Sequence, residues 1–300
     1  VMLATMAIIG VLEIGKPGEK THVAAQELTF SKESGVYEDE FQLTLSAGSD
    51  KIYYTLDGSD PRESSTRVLY TSGISMTDRK GDKNVLSAID PALFDSANVS
   101  WDEEKQKFVS NLKLPSNDEV DKINVVRAVS VDASGNYSPV LTKTYIVGSM
   151  AEHINGIKES CKAAGRDLAI MSIAVNPEDF FDAEKGIYVH GNIFDKALEE
   201  HLKTERVNDH NAIDTARGLD ANYKQKGRDW EREAHVDYFE SDGTSSSHLL
   251  AQDCGIRVQG NYSRSDLQKG LRLYARSDYG EKKFKFPFFE DALNDEGKVI

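Results

Sequence analysis

A basic stretch near the carboxyl end of the chain carries the side chains that proteins use to bind anions. Residues 255–285 include eight basic and three acidic residues, in a chain whose net charge is −14. Arginine and lysine bind phosphate and carboxylate groups through charge-assisted hydrogen bonds. The pattern therefore predicts either a small-anion site or an amphipathic hairpin whose basic face is only solvated.

The order of residues in this stretch predicts two strands joined by a turn that contains glycine. Residues 255–264 are typical of a strand that runs into a turn, where Gly260 lets the backbone approach a ligand closely. Residues 268–276 are predicted as a second strand, with Lys269 on one face and Arg272 on the other. Kinase N-terminal lobes cover nucleotide phosphates with this arrangement, although the motif alone is not specific.

Histidine and carboxylate residues in the second half support weaker hypotheses. His235 shares a strand face with Asp237, so the pair could ligate a metal or act as a base, but a packed or solvated histidine explains the pattern more simply. A glycosidase needs paired carboxylates, yet polar surroundings favour a solvated face. The carboxylates in question are Glu231, Glu233, Asp237 and Glu240, and the further histidines of this region are His190 and His248.

Two other residue pairs leave alternatives open. Asp57 and Asp60 could bind Ca²⁺, which prefers clustered oxygen ligands, but Asp-Gly and Asp-Pro sequences are typical of turns. Cys161 and Cys254 could form one disulfide or remain free thiols, with a structural role favoured for Cys254. Nucleophile-elbow, zinc-protease and P-loop motifs do not occur in the sequence.

Length and composition indicate a globular protein of about two domains. The chain has 300 residues, of which 39% are hydrophobic and 29% charged. Because acidic residues outnumber basic ones by 50 to 36, nucleic acids and anionic membrane surfaces are unfavourable partners.

Alternating apolar residues predict a β-sandwich over residues 28–147. Tyr53 and Tyr54 are expected on opposite faces of one strand, and tight turns are expected at 57–58 and 132–136. Residues 80–122 are rich in Asp, Asn, Ser and Lys. They are expected to form a long insert at one end of the sandwich, with Trp101 and Phe108 as its few apolar anchors.

From Gly148 onwards the pattern changes to α+β. Apolar residues at helical spacing predict helices over 150–161 and 194–202, the first of them capped by Gly165. Strands are expected at 168–174, 187–190, 235–240, 255–261 and 271–276, and residues 203–227 are expected to form a mobile loop.

The first twelve residues, VMLATMAIIGVL, are apolar and uncharged. They are too few to span a bilayer, which takes about 20 residues. The segment is expected to be the remnant of a signal peptide or signal anchor, and an apolar terminal strand is the alternative. With the polar linker that follows, it is expected to occupy residues 1–27 of a fragment of an exported protein.

The segment YTLDGSDP at residues 54–61 is distinctive. Together with Gly35, Tyr37, Tyr70 and Tyr145, it resembles the chitobiase/β-hexosaminidase C-terminal type domain, a small immunoglobulin-like sandwich of bacterial surface proteins. The resemblance covers residues 28–147 apart from the insert. It implies a structural accessory and carries over no catalytic residue.

A second resemblance covers residues 167–289. In order, the runs DLAIMSIAVNPEDFFD (167–182), WEREAHVDYFE (230–240), QDCGIRVQG (252–260), QKGLRLYAR (268–276) and FPFF (286–289) are similar to the CotH spore-coat kinase family. The resemblance implies an α+β atypical protein-kinase-like N-terminal lobe. Such a lobe binds ATP with Mg²⁺, and the family phosphorylates Ser on secreted or coat proteins.

By this resemblance, the turn at 260–264 would cover the ATP phosphates, and either Lys269 or Arg272 would supply a cation to them. Many family members have Lys where Arg272 stands, and arginine keeps the charge while changing the geometry. The catalytic carboxylates of the family belong to a C-terminal lobe, expected beyond Ile300, so the chain is expected to be inactive in isolation. The phosphate-binding residues implied are Arg257, Gly260, Ser263, Arg264, Lys269 and Arg272.

The combined expectation is a multidomain cell-surface protein, with an all-β Ig-like sandwich over 28–148 and a partial CotH-like domain over 149–300. The implied cofactors are ATP and Mg²⁺, and the implied partners are a secreted or coat protein substrate and cell-wall polysaccharide. Membrane contact is expected only through the N-terminal segment. The alternative is a non-enzymatic surface or coat-assembly module with a carbohydrate-associated domain.

Overall fold

The computed structural model describes residues 27–89, 99–165, 169–241, 246–286 and 288. Residues 1–26 of the expected export segment and linker, and residues 167, 168, 287 and 289 of the second resemblance, lie outside the described residues. The strands before the first α-helix are β1 (Thr29–Phe30), β2 (Gly35–Tyr37), β3 (Phe41–Leu43), β4 (Leu45–Ser46), β5 (Lys51–Thr55), β6 (Val68–Leu69), β7 (Ile74–Met76), β8 (Val99–Asp102), β9 (Lys107–Ser110), β10 (Asn124–Val131) and β11 (Leu141–Val147).

A five-stranded sheet in the order β2-β11-β10-β5-β6 forms the centre of the first region. β2 runs parallel to β11, and the other neighbours are antiparallel. The pairs β1–β4 and β3–β7 contribute to the same apolar core, as a sandwich requires. The expected mostly-β architecture is therefore confirmed. The core consists of Leu28, Leu43, Leu45, Ala47, Ile52, Ile74, Met76, Val126, Ala128, Tyr145 and Val147.

The two adjacent tyrosines of β5 lie on opposite faces of this sheet, as predicted. Tyr54 packs against the core, where its ring meets that of Tyr70. Tyr53 lies on the other face, with the Arg67 guanidinium 4.9 Å from its ring centroid.

At β10 and β11, the face of the five-stranded sheet that points away from this core is buried as well. Val129, Thr144 and Ile146 are at most 1% exposed. Ile146 packs on the helix that follows β11, and the Thr144 hydroxyl lies 3.0 Å from the hydroxyl of Ser172 in the second region. The two regions are therefore stacked sheet on sheet.

The second region combines helices with a four-stranded antiparallel sheet in the order β12-β13-β14-β15. Four of the five strands predicted for this region are present, and β13 and β14 extend well beyond their expected bounds. The elements are α1 (Ser149–Ala163), β12 (Ala169–Val175), α2 (Pro177–Phe181), α3 (Gly191–His201), α4 (Ala212–Gly218), β13 (Arg232–Ser241), β14 (Ser246–Gln259) and β15 (Gly270–Tyr274).

Helix α1 is confirmed, and Gly165 follows it with a positive φ of 69°. The apolar spacing of Met150, Ile154, Ile157 and Cys161 predicts one buried stripe. In the structure Ala151, Ile154 and Lys158 are buried, whereas Ile157 is 40% exposed.

The predicted strand at 187–190 is wrong. The backbone amides of Ile187 and Tyr188 donate to the carbonyls of Asp179 and Phe180 in α2 instead of to another strand. Val189 then accepts a hydrogen bond from the amide of Tyr223. Ile187 and Val189 are buried in this loop, and a short apolar run does not by itself distinguish such a buried loop from a strand.

The second region supplies the contacts of the insert. The insert contains the hairpin β8–β9, and its expected apolar anchors, Trp101 and Phe108, pack on α3 and α4 of the second region. Residues 203–227 are not a mobile loop, because they form α4 and a 3-10 turn, Asn222–Lys224, that complete this cluster. The cluster consists of Trp101, Phe108, Phe194, Leu198, Val207, Ala212, Ala216, Ala221 and Tyr223.

The two cysteines are free thiols. Cys254 is buried in the sheet of the second region, and this burial raises the pKa of its thiol to about 12. Within the described ranges, none of the helices has the length and apolar character needed to cross a bilayer.

Replacing Trp101 with alanine is expected to lower the free energy of unfolding by about 3–5 kcal/mol, because a large buried side chain leaves a cavity in the shared cluster. Urea denaturation of the 300-residue chain measures this. The exposed Glu104, in the turn of the same hairpin, is the control, and Glu104→Ala is expected to stay within about 0.5 kcal/mol of wild type. A loss below about 1 kcal/mol for Trp101→Ala would contradict the packing role of the hairpin.

Candidate anion-binding site

The sheet of the second region has two unlike faces. One face is apolar and packs Ala234, Val236 and Ile256 against Phe180 and Phe284. The other face carries arginines, carboxylates and histidines, because every second residue of a strand points to the same side. This polar face meets the first region near Ser172, and its basic residues lie towards β15.

Three arginines surround Tyr274 on the polar face. The guanidinium carbons of Arg257, Arg272 and Arg276 lie 4.0, 5.2 and 4.9 Å from the Tyr274 ring centroid. Arg257 and Arg272 are directly opposite each other across β14 and β15. Like charges in such a cross-strand pair are destabilising, so this arrangement calls for negative charge nearby.

A buried carboxylate supplies part of that charge. The side chain of Glu231 is 0% exposed, and Arg276 donates to both of its oxygens, at 2.9 and 3.2 Å. Nitrogen atoms of Arg228 and Arg257 lie 3.4 and 3.5 Å from the same carboxylate. The hydrogen bond to Glu231 raises the pKa of Arg276, and burial together with Glu231 raises the pKa of Tyr279 to about 12.

Gly255 makes room for this carboxylate. It lies opposite Tyr274 on the polar face, and a Cβ atom there would be 2.5 Å from Glu231 Oε1 and 2.7 Å from Tyr279 Cε2. Both approaches are closer than a carbon side chain allows. The glycine at this position therefore permits Glu231 to lie under the arginines.

Positive charge remains in excess at the cluster. Asp278 pairs with Arg228, and Glu231 is shared by three arginines. Among the described residues, no carboxylate lies within ion-pairing distance of Arg272, and the buried Nε of Arg257 has no hydrogen-bond acceptor. Four arginines thus face two carboxylates, and we name Arg228, Arg257, Arg272 and Arg276 the arginine cluster.

Arg264 lies beside the arginine cluster, but its guanidinium is bound to backbone carbonyl groups of the protein itself. Its guanidinium donates to the carbonyl oxygens of Gly260, Tyr223 and Gln225, at 2.8, 3.0 and 3.0 Å. Burial and then repulsion from Arg257 lower the pKa of Arg264.

Lys269 is also internal, because only 4% of it is exposed. Its ammonium donates to the Asp266 carbonyl at 2.6 Å and lies 4.6 and 5.0 Å from the ring centroids of Tyr223 and Tyr188. The residue precedes β15, which begins at Gly270, so the expected strand position of Lys269 is wrong.

Gly260 and Ser263 belong to the turn between β14 and β15. Gly260 has a positive φ of 123°, and a Cβ atom on it would lie 2.4 Å from Ser263 Oγ. Ser263 itself is exposed. The structure therefore brings Arg257 and Arg272 together at the surface, with Gly260, Ser263, Arg264 and Lys269 around the adjoining turn.

Sequence reasoning missed Glu231 as a member of this site. The prediction of a solvated set of carboxylates is wrong for Glu231 and for Asp237, since both are buried. The available signal was Gly255, a glycine inside an apolar strand, which often marks the close approach of another group.

Residues 41–145 match the family model of the Fn3-associated domain. This match agrees with an Ig- or Fn3-like fold for the first region. No CotH family model matches the chain. No curated protein and no solved structure matches it either.

The polar face carries a second titratable group next to the first region. His248 Nε2 lies 2.7 Å from Asp237 Oδ1, and His235 Nδ1 lies 2.7 Å from Asp253 Oδ1. His235 Nε2 is 3.7 Å from Asp237 Oδ1, so the two pairs form one network around the buried Asp237.

The described residues do not offer a metal cage. No group of three histidine, cysteine or acidic side chains in the described part of the chain is placed to hold a metal ion. Asp57 accepts hydrogen bonds from Ser59 and Thr66, and Asp60 pairs with Arg62, so both carboxylates serve their own loop. The described residues therefore lack a donor set for Mg²⁺, whereas the guanidinium groups of the arginine cluster are donors suited to phosphate oxygens.

The free energy of unfolding is expected to fall as the pH rises from 6.5 through 9. Burial alone would lower the pKa of His235, but Asp237 and Asp253 outweigh it and raise this pKa from 6.5 to about 9. A raised pKa stabilises the fold below the unfolded value, and the gain is lost as the pH passes the folded value. Urea unfolding between pH 6 and 10 measures this dependence.

The variant His235→Asn is expected to flatten this alkaline limb, whereas His153→Asn, at an exposed histidine, is expected to keep it. An equal slope in wild type and His235→Asn would refute the assignment. On the acid side, burial opposes ionisation of Asp237, yet the two histidines hold its pKa well below the usual range. Its contribution is therefore present above about pH 3.8 and is lost as the pH falls further.

Replacing Gly255 with alanine is expected to destabilise the protein by about 1–3 kcal/mol, because the added methyl group overlaps Glu231 and Tyr279. Thermal unfolding measures the loss. Gly156, in α1 with open space around it, is the control, and Gly156→Ala is expected to be neutral or stabilising. A neutral Gly255→Ala would show that the carboxylate does not lie under the arginines.

Proposed function

We propose that the second region binds the phosphates of ATP as the N-terminal part of a CotH-like atypical protein kinase. The protein is proposed to be exported and to act at the cell surface, with its Ig/Fn3-like region as an accessory domain. The excess of positive charge at the arginine cluster carries this proposal. In a chain with a net charge of −14, that excess needs an anionic partner.

The arrangement of the arginines suits a phosphate chain. A guanidinium binds phosphate oxygens with two parallel hydrogen bonds, which gives both affinity and direction. Stacking on Tyr274 holds Arg257 at 4.0 Å from the ring, and Glu231 holds Arg276. Side chains that are fixed before binding lose less conformational entropy when the ligand arrives.

The arginines lie on the face of the sheet opposite its apolar cluster. Arg272 is exposed, and Arg257 is partly exposed, so a ligand can reach both guanidinium groups from solvent. Phosphates that bridge the two side chains would relieve the repulsion across β14 and β15.

Transfer of the phosphoryl group is a further part of the proposal. It requires carboxylates that orient the acceptor hydroxyl and hold Mg²⁺, and the described residues do not provide that set. ATP binding is therefore the activity proposed for these residues. Phosphorylation of Ser on a secreted or coat protein is proposed for the protein when it includes a catalytic lobe.

The double variant Arg257→Gln/Arg272→Gln is expected to weaken ATP binding at least tenfold, because each charged hydrogen-bond partner contributes about 1.5–3 kcal/mol. Isothermal titration calorimetry on the 300-residue chain, without and with Mg²⁺, measures the affinity. Arg67→Gln/Arg206→Gln removes the same charge at two exposed positions away from the cluster and is expected to bind as wild type does.

Unchanged affinity in the cluster variant would overturn the phosphate assignment. An equal loss in the control variant would assign binding to overall charge instead of to the cluster. Absence of ATP binding by the wild type would favour the alternative, a non-enzymatic surface or coat-assembly module.

A further inference from the structure

We propose that the hairpin β8–β9 of the first region positions the turn beside the arginine cluster, so that the first region sets the affinity for nucleotide. We name residues Gly260 to Ser265 the covering turn. The inference rests on the proposed ATP binding for its effect on affinity. The positioning itself follows from a continuous series of contacts in the described residues.

The series begins in the hairpin. The rings of Trp101 and Phe108 meet edge to face at 4.9 Å, and Phe108 contacts Phe194 of α3 at 5.8 Å. Trp101 and Phe108 are 8% and 6% exposed, although both belong to a segment rich in polar residues. Their burial is therefore supplied by the second region, in the cluster that also contains Tyr223.

Tyr223 carries the contact onward to the covering turn. It is 0% exposed, and its backbone amide donates to Val189. Its carbonyl oxygen accepts a hydrogen bond from Arg264 Nη1 at 3.0 Å. A shift of the 3-10 turn that contains Tyr223 would therefore move the acceptor of Arg264.

Arg264 connects Tyr223 to the first residue of the covering turn. Besides Tyr223, it donates to the carbonyl of Gln225 and, through Nε, to that of Gly260. One buried side chain thus connects the start of the turn to the helical cluster. Arg264 acts here as a positioning residue, through the backbone of the turn and not as a ligand of the anion.

Lys269 makes a second connection to the same tyrosine. Its ammonium lies 4.6 Å from the Tyr223 ring centroid and donates to the carbonyl of Asp266, just after the covering turn. A cation over an aromatic face contributes up to about 2 kcal/mol when it is desolvated. Both ends of the turn are therefore held by Tyr223.

The consequence concerns Arg257 and Arg272. They lie on the two strands that the covering turn joins, and Arg264 is close enough to Arg257 for their repulsion to lower the pKa of Arg264. Loosening the turn would let these charges separate. The affinity for a phosphate chain would then fall, although no group that contacts the anion has been changed.

Two substitutions at Phe108 test this series. Phe108→Ala is expected to weaken ATP binding about tenfold in the 300-residue chain, because it removes the contact with Phe194. Phe108→Leu keeps most of the apolar volume and is expected to stay within about twofold of wild type. Ile74→Ala is the matched control, since Ile74 is buried in the sandwich core away from Tyr223.

Hydrogen exchange separates positioning from general loss of stability. In Phe108→Ala, amide exchange in residues 260–266 is expected to accelerate at least tenfold, while β13 and β14 keep wild-type protection. Ile74→Ala is expected to leave residues 260–266 unchanged. This measurement does not require nucleotide, so it decides the positioning even if wild-type protein fails to bind ATP and the proposed function falls.

Unchanged exchange in residues 260–266 of Phe108→Ala would overturn the inference. An equal acceleration in Ile74→Ala would also overturn it, since the effect would then be global. If exchange accelerates as expected but ATP affinity is unchanged in a wild type that binds ATP, the claim that the hairpin sets affinity is overturned.

Discussion

The hydroxyl groups of Thr144 and Ser172 share a hydrogen bond between two β-sheets, at a point where neither group reaches water. A buried hydroxyl without a partner costs about 1–3 kcal/mol, so each sheet depends on the other at this contact. The same dependence extends along the interface, where Val129 and Ile146 are also buried. Strands β10 and β11 therefore have both faces covered, and the first region supports the second directly.

The arginine cluster lies towards β15, at the end of the polar face away from the contact between Ser172 and Thr144. Apolar residues on one side of β13 and β14 hold the sheet together, which leaves the other side for charge. Gly255 then allows a carboxylate to lie inside a strand pair, and Glu231 holds arginines that would otherwise repel one another. A network of histidine and aspartate occupies the same face nearer the first region. The contact with the first region and the arginine cluster therefore lie on one face of the sheet.

Patterns between neighbouring residues predicted the features that depend on neighbouring residues, namely individual strands, a helix and a basic stretch. Period-two alternation gave the strands around Tyr53 and Tyr54, and helical spacing gave α1. The basic stretch indicated Arg257 and Arg272, because charge excess is visible in composition. Three features were out of reach for a physical reason. The partners of Trp101 and Phe108 lie about 90 residues away, the partners of Ile187 are carbonyls of a helix, and burial of Glu231 is set by a glycine on a neighbouring strand.

The hairpin has a consequence for how the chain is made. Phe108 leaves the ribosome well before Phe194, its partner in the cluster. At a synthesis rate of about 5–20 residues per second, Trp101 and Phe108 remain uncovered for roughly 5–20 s before α3 and α4 have been synthesised. During that interval the nascent sandwich can close its own core while two aromatic rings stay in water. During that time the hairpin is open to chaperones and to association between growing chains, and the speed of synthesis between residues 108 and 218 sets the length of that exposure.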